Sequence, residues 1–283
     1  MRTAGYTGIL LVEAAMIALI GFLQTASAND QRDSDQIRPA TLEDHWYRTG
    51  IDYIDGDYSQ GVATDGKYWY FTHKEKLFKT TYDFELVAVN ELAIPQFLLD
   101  RAYDHVGDID YFEGKIYAPL EDEIRKNAVV CVYDTTNLNY TGKYYALNQE
   151  DQTHGPWIAA DPQTRYFYTS EFSNVTWLNA YDSQKNFAFV RQVQLSRMIT
   201  RVQGGVFYDG FLYLACDCGD SYGDNVYKVD VSSGNVTRII SIANTDELEG
   251  IEAYEMDSGI LHIMSETGGS TNIFYHYEKP EPV

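Results

Sequence analysis

A fivefold internal repeat constrains this chain more than any other feature. A polar or small residue, a glycine and an apolar stretch recur as Tyr58-Ser59-Gln60-Gly61-Val62, His105-Val106-Gly107-Asp108-Ile109, Thr153-His154-Gly155-Pro156-Trp157, Val202-Gln203-Gly204-Gly205-Val206 and Leu248-Glu249-Gly250-Ile251-Glu252. The glycines at 61, 107, 155, 204 and 250 are separated by 46, 48, 49 and 46 residues. Self-similarity at so regular a period marks an array of one supersecondary unit.

Each copy continues in the same way. Turn pairs such as Asp65-Gly66, Glu113-Gly114, Asp209-Gly210 and Ser258-Gly259 lead into alternating aromatic and β-branched runs, including Tyr68-Trp69-Tyr70-Phe71, Tyr166-Phe167-Tyr168 and Phe211-Leu212-Tyr213-Leu214. Two further runs follow in most copies. Period-2 alternation with this composition specifies strands. Four short strands in about 47 residues make a β-propeller blade, so the expected fold is all-β, a five-bladed propeller of four-stranded antiparallel blades. The fifth copy ends after its third strand. A strand around His45 to Ile54 is expected to supply the fourth and close the ring, leaving no open sheet edge. A six-bladed ring is the alternative, but residues 29–55 are too few for a further blade.

Residues 1–28 read as a signal peptide. Arg2 gives the positive start, Ile9–Val12 and Met16–Leu23 the apolar region, and Ala26-Ser27-Ala28 a small-residue cleavage site. A polar tail, 29–42, then precedes a single propeller domain, 43–283. This organisation implies a secreted or periplasmic protein with no membrane segment after cleavage. Three sequons, at Asn139, Asn174 and Asn235, are candidate glycosylation sites in a eukaryotic host.

The formal net charge is −21, and losing Arg2 and Glu13 with the signal leaves it unchanged. So acidic a surface repels phosphate backbones and anionic lipids, which excludes nucleic acid as a main partner. Three cysteines, Cys131, Cys216 and Cys218, are too few for a disulfide framework.

In a propeller the first strand of each blade lines the central channel, so the residues before the motif glycines, Gln60, Val106, His154, Gln203 and Glu249, converge near the axis. Such a polar ring is expected to hold water, an ion or a ligand. The same face collects His105, Asp108, Glu121, Glu252 and Glu266, with Trp157 at a blade start. An oxygen-rich set of this kind suits Ca²⁺, with Glu249, Asp108, Glu121 and Glu266 as candidate ligands. His73, His105 and His154 are the alternative, a transition-metal set. Gln60, His105, Trp157 and Gln203 are candidate substrate contacts. No nucleophile elbow, zinc-protease helix or phosphate loop occurs. Catalysis would rest on a metal or on carboxylates, with Glu249, Glu252 and His154 as candidates. Glu249 and Glu252 form a possible crowded acid–base pair.

Two local resemblances bear on function. The fifth copy, from Asp246 to Tyr254 and on through Leu261–Glu266, resembles blades of secreted propellers of the esterase-like phytase and lactonase type. There an acidic residue before a glycine binds a central calcium, which implies that role for Glu249. The copy Tyr58-Ser59-Gln60-Gly61 is similar to an element of plant-type glutaminyl cyclotransferases, which implies a substrate-pocket role for Gln60. Each resemblance covers one short motif. The expected function is therefore a secreted propeller with a calcium-holding central site that binds or hydrolyses a small polar molecule. The alternatives are a non-enzymatic propeller that recognises a glycan or protein, and a cyclotransferase-like enzyme.

Overall fold

A computed structural model describes residues 45–122, 127–148, 150, 152–218, 223–243 and 247–279. The expected signal segment and polar tail lie outside the described residues. The described chain is five antiparallel sheets, one per repeat. Strand β1 (Tyr47–Asp55) is set aside for closure. Blade I holds β2 (Val62–Thr64), β3 (Trp69–His73), β4 (Lys76–Thr80) and β5 (Leu86–Asn90). In blade II the inner strand is broken into β6 (Tyr103–Val106) and β7 (Asp110–Phe112); β8 (Lys115–Asp122), β9 (Val129–Asp134) and β10 (Tyr140–Ala146) follow. Blade III comprises β11 (Ala159–Ala160), β12 (Tyr166–Thr169), β13 (Val175–Asp182) and β14 (Ala188–Ile199). Blade IV comprises β15 (Val202–Tyr208), β16 (Phe211–Cys216), β17 (Asp224–Asp230) and β18 (Asn235–Ile242). Blade V has β19 (Glu247–Met256), β20 (Gly259–Glu266) and β21 (Thr271–Glu278).

The ring closes as the sequence requires. β1 pairs antiparallel with β21, from Tyr47 opposite Glu278 to Asp55 opposite Thr271, and so becomes the outer strand of blade V. Ring number and closure both agree with the five-repeat reading, and the six-bladed alternative falls.

The core lies between the blades. Five apolar clusters each join two neighbouring blades, one cluster per interface. This follows from the composition of the strands. A blade buried on both faces needs apolar residues on alternate positions of both parities, and the Tyr, Phe and Trp runs supply them. At the closure interface Trp69 meets Phe274 edge-to-face, at 5.4 Å and 86°. Trp46, just before β1, packs edge-on against Tyr213 at 5.7 Å. Burying such a ring stabilises the fold by about 3 kcal/mol.

Candidate functional site

Four of the motif glycines, Gly61, Gly107, Gly204 and Gly250, sit where the blade starts crowd together, whereas Gly155 packs against Ala128 and Leu147 of blade II. A β-carbon on Gly204 would fall 2.7 Å from the Glu249 carbonyl oxygen and 2.8 Å from Asp108 Oδ2. One on Gly250 would fall 2.8 Å from Asp108 Oδ1, and one on Gly61 2.6 Å from the Asp108 α-carbon. The pairing of inner with second strands shifts register across Val202/Gly204 and Leu248/Ile251. These irregularities bend the inner strands and re-aim their side chains at the axis.

Asp108 fills the space the glycines leave. Its side chain is fully buried. The Val62 amide donates to Oδ1 at 2.9 Å, and the Gly205 amide donates to Oδ2 at 3.0 Å. The Ile251 amide approaches Oδ2 at 3.5 Å. Its own amide donates to the Pro156 carbonyl at 2.8 Å, and its carbonyl accepts from Ile158 at 3.2 Å. One residue of blade II is thereby bonded to the other four blades. Burial drives its carboxyl pKa upward, and the three amides oppose that.

Next to this hub, three carboxylates converge. Ligand oxygens of Glu247, Glu249 and Glu266 all lie within 4.8 Å of one another. Glu247 and Glu249 come from the start of β19, and Glu266 from the end of β20, opposite Glu247 in the hairpin. Two amides close the set. Gln60 Nε2 donates to Glu249 Oε1 and Glu266 Oε2, both at 3.4 Å, and Gln203 Nε2 donates to Glu247 at 3.1 Å and Glu249 at 3.3 Å. Glu249 is buried, and burial lifts its pKa well above the usual range, with Glu247 and Glu266 adding their repulsion. Burial, then the charge of Asp217, raises Glu247, and Arg201 works the other way. Arg201 pairs with Asp217 and reaches Glu247 at 3.5 Å. Its guanidinium lies 5.3 Å from the Phe172 ring centre, and that ring also stacks beside His154, at 6.5 Å and 14°.

The candidate residues separate into several groups. Gln60, Gln203, Glu249 and Glu266 meet in the acidic set, the first three as their positions before motif glycines suggest and Glu266 from the end of β20. Glu247 joins them; as a blade-start acid it belongs to the same face, and it lies two residues from Glu249 on the same strand. Asp108, proposed as a cation ligand, is instead tied up by backbone amides on both oxygens. Glu121, also proposed as a ligand, accepts from the Gly155 amide and stands 3.8 Å from His154 Nδ1. His105 lies opposite Glu121 in blade II. His73 Nδ1 is 2.6 Å from Ser59 Oγ. Among the described residues His73, His105 and His154 do not form a ligand set.

Two expectations need correction. Trp157 is fully buried, donates from Nε1 to Ser170 Oγ at 3.1 Å and packs under Gly205, so it holds blades III and IV together and presents no face to a substrate. Glu249 and Glu252 are no pair. Past the irregularity at Leu248/Ile251, Glu252 turns to the other end of the inner strands, where it accepts from the Thr64 amide at 2.8 Å and the Ala253 amide at 2.6 Å.

No protein-family model matches the sequence, and no curated protein does. Solved structures do match. The RS223 β-xylosidase is 13% identical, covering 82% of this chain and 96% of its own, with a TM-score of 0.55. The GH43_1 enzyme from Xanthomonas citri complexed with xylose is 12% identical, covering 79% and 88%, at 0.54. The GH43 β-xylosidase/α-arabinofuranosidase CoXyl43 from a compost microbial metagenome, solved with xylotriose in a calcium-free form, is 12% identical, covering 83% and 93%, at 0.52. These neighbours are propeller glycoside hydrolases. They do not carry the local resemblance to phytase and lactonase propellers or to cyclotransferases any further, and at such identities the likeness shows one thing, a shared five-bladed β-propeller fold.

Proposed function

We propose that this protein is a secreted propeller that holds a calcium ion at the acidic mouth of its channel and uses that mouth to bind a glycan. The observation that carries the reading is the convergence of Glu247, Glu249 and Glu266 beside two glutamines. Calcium takes oxygen ligands at about 2.3–2.6 Å, so ligands on opposite sides of the ion stand about 4.6–5.2 Å apart. The separation here, within 4.8 Å, fits that span. Rotating the Gln60 and Gln203 amides by half a turn would offer carbonyl oxygens in place of NH₂ groups. An ion would also offset the mutual repulsion of three carboxylates, of which Glu247 has Arg201 at 3.5 Å.

The glycan part of the reading rests on two supports. The fold neighbours bind sugars according to their descriptions, and the Phe172 ring at the mouth, flanked by His154 and Arg201, can stack on a sugar face. Secretion would follow from residues 1–28, and Asn139, Asn174 and Asn235 are all exposed, as glycosylated residues must be.

Thermal unfolding and calorimetry test the reading. Calcium at a hundredfold excess over Kd should stabilise the fold by about 2.7 kcal/mol, and xylotriose should bind more tightly with calcium than with EDTA. An unchanged melting temperature with calcium removes the ion. No heat with xylotriose removes the pentose oligosaccharide. A mature chain that does not begin at Asn29 removes the cleavage.

A further inference from the structure

The far end of the inner strands carries a second site unrelated to the acidic mouth. A cavity of about 180 Å³ opens there, lined among others by Asp110, Phe112, Phe207, Glu252 and Tyr254. Each of these lies two to five residues beyond a motif glycine, so the repeat that builds the mouth also builds this cavity from blades II, IV and V, with Ala160 of blade III and Thr64 of blade I completing the lining. Two of the walls are acidic and nearly buried. Asp110 is 9% and Glu252 6% exposed. Both are held in place by backbone. The Ala160 amide donates to Asp110 Oδ2 at 2.6 Å, and the two amides already described hold Glu252. The aromatic walls are equally fixed. Phe112 packs edge-on against Phe167 at 5.4 Å, and Phe207 lies tilted by 50° against Tyr168 at 5.2 Å.

No lysine, arginine or histidine is among the described residues lining the cavity. Arg165 lies 5.6 Å from the Phe112 ring centre but is paired with Glu113, so the two rigid carboxylates have no counter-ion within the lining itself. A bare metal ion is a poor match, because aromatic faces offer it no oxygen and the space is several times that of one water, about 30 Å³. An anion is repelled. A neutral ligand would leave the acids uncompensated. An ammonium group on a small organic skeleton satisfies all three features: its N–H bonds meet the carboxylates, its charge lies against ring faces, and its skeleton fills the volume. Burial pushes Asp110 up to about 7 and Glu252 upward too, with Asp110 adding to the latter, which is the strain such a cation would relieve. We infer that this far-end cavity is a binding site for a small organic ammonium cation, separate from the glycan and calcium mouth.

Phenethylammonium and its neutral isostere 2-phenylethanol distinguish this site chemically on the unaltered protein. By calorimetry with calcium present, phenethylammonium should bind at least about tenfold more tightly than the alcohol. Glu252→Gln and Asp110→Asn should each cut that preference about tenfold while leaving calcium stabilisation at the mouth unchanged. Equal binding of amine and alcohol, or no binding of either, overturns the proposal. Amine binding that survives both substitutions in folded variants overturns it as well. Because the calcium response is read in the same samples, failure here is separate from failure of the mouth site.

Discussion

The Asp108 carboxylate accepts a hydrogen bond from the Gly205 amide at 3.0 Å, across 97 positions of sequence. With the Val62 amide on its other oxygen, this makes one buried side chain a tie across the axis of the ring, from blade II to blades I and IV.

Replacing Asp108 with Ala should therefore be costly out of proportion to its size. Two buried amides would lose their acceptor, at about 1–3 kcal/mol each, and the space at Gly204 and Gly250 would become a void. The expected loss is about 4 kcal/mol, a fall in Tm of about 10 °C for a domain of this size. Asp108→Asn keeps one acceptor and should fall between the two. Calorimetric unfolding of both variants checks the order.

That tie also shows what the sequence could and could not disclose. The glycine spacing was legible because most of these positions tolerate no side chain where the blades meet, and it gave the blade number; closure followed from the fifth copy ending after its third strand. Asp108 was legible as an acid near the axis, but its role depends on which way its oxygens point. That is set by the break between β6 and β7, which no periodicity reveals. The same limit explains the Glu249 and Glu252 pairing. Three residues apart along a regular strand they would face opposite sides, yet the irregularity at Leu248/Ile251 made parity unreliable. Glu247 had a readable signal: positions i and i+2 share a strand face, and its partner Glu266 follows from the β19–β20 hairpin.

Trp157 offers a test of the difference between a core residue and a ligand contact. Trp157→Phe loses the Nε1 hydrogen bond to Ser170 and part of the packing under Gly205. Stability should fall by about 2 kcal/mol. Xylotriose affinity measured by calorimetry should not change. A large loss of affinity in a fully folded variant would return Trp157 to the binding surface.

Glu266→Gln separates ion binding from architecture at the mouth. Glu266 is only half-buried, so the fold in EDTA should be as stable as before, or slightly more so once a charge facing Glu249 is removed. Calcium affinity should drop about tenfold or more with a ligand oxygen's charge gone. The readout is the calcium dependence of Tm, compared between the two proteins.

Stability should also depend on pH in opposite directions in two ranges. Burial raises Asp110 to about 7, and burial together with Asp217 raises Asp224 to about 7. A carboxyl with a raised pKa binds its proton more tightly when folded, so its penalty is full above about 7 and is relieved as pH falls toward the unfolded value near 3.9. Burial lowers His262 to about 4. Its neutral ring, with Nε2 2.8 Å from the Tyr254 carbonyl, contributes stability that is complete above about 6.5 and lost as pH drops from there to 4. The two windows overlap and two raised carboxyls outweigh one lowered imidazole, so in EDTA the melting temperature should be higher at about pH 5.5 than at pH 8; it should fall only below about pH 4, where Asp134 and Asp230, lowered to about 2 by hydrogen bonds from Lys115 and from Ser232 and Ser233, take up protons. Asp110→Asn should flatten the upper limb and leave the lower one. Calcium should reverse the upper limb, because Glu247 and Glu249 must give up their protons to bind it; its stabilisation should be larger at pH 8 than at pH 5.5. A calcium effect that is the same at both pH values would place the ion away from these two raised carboxyls.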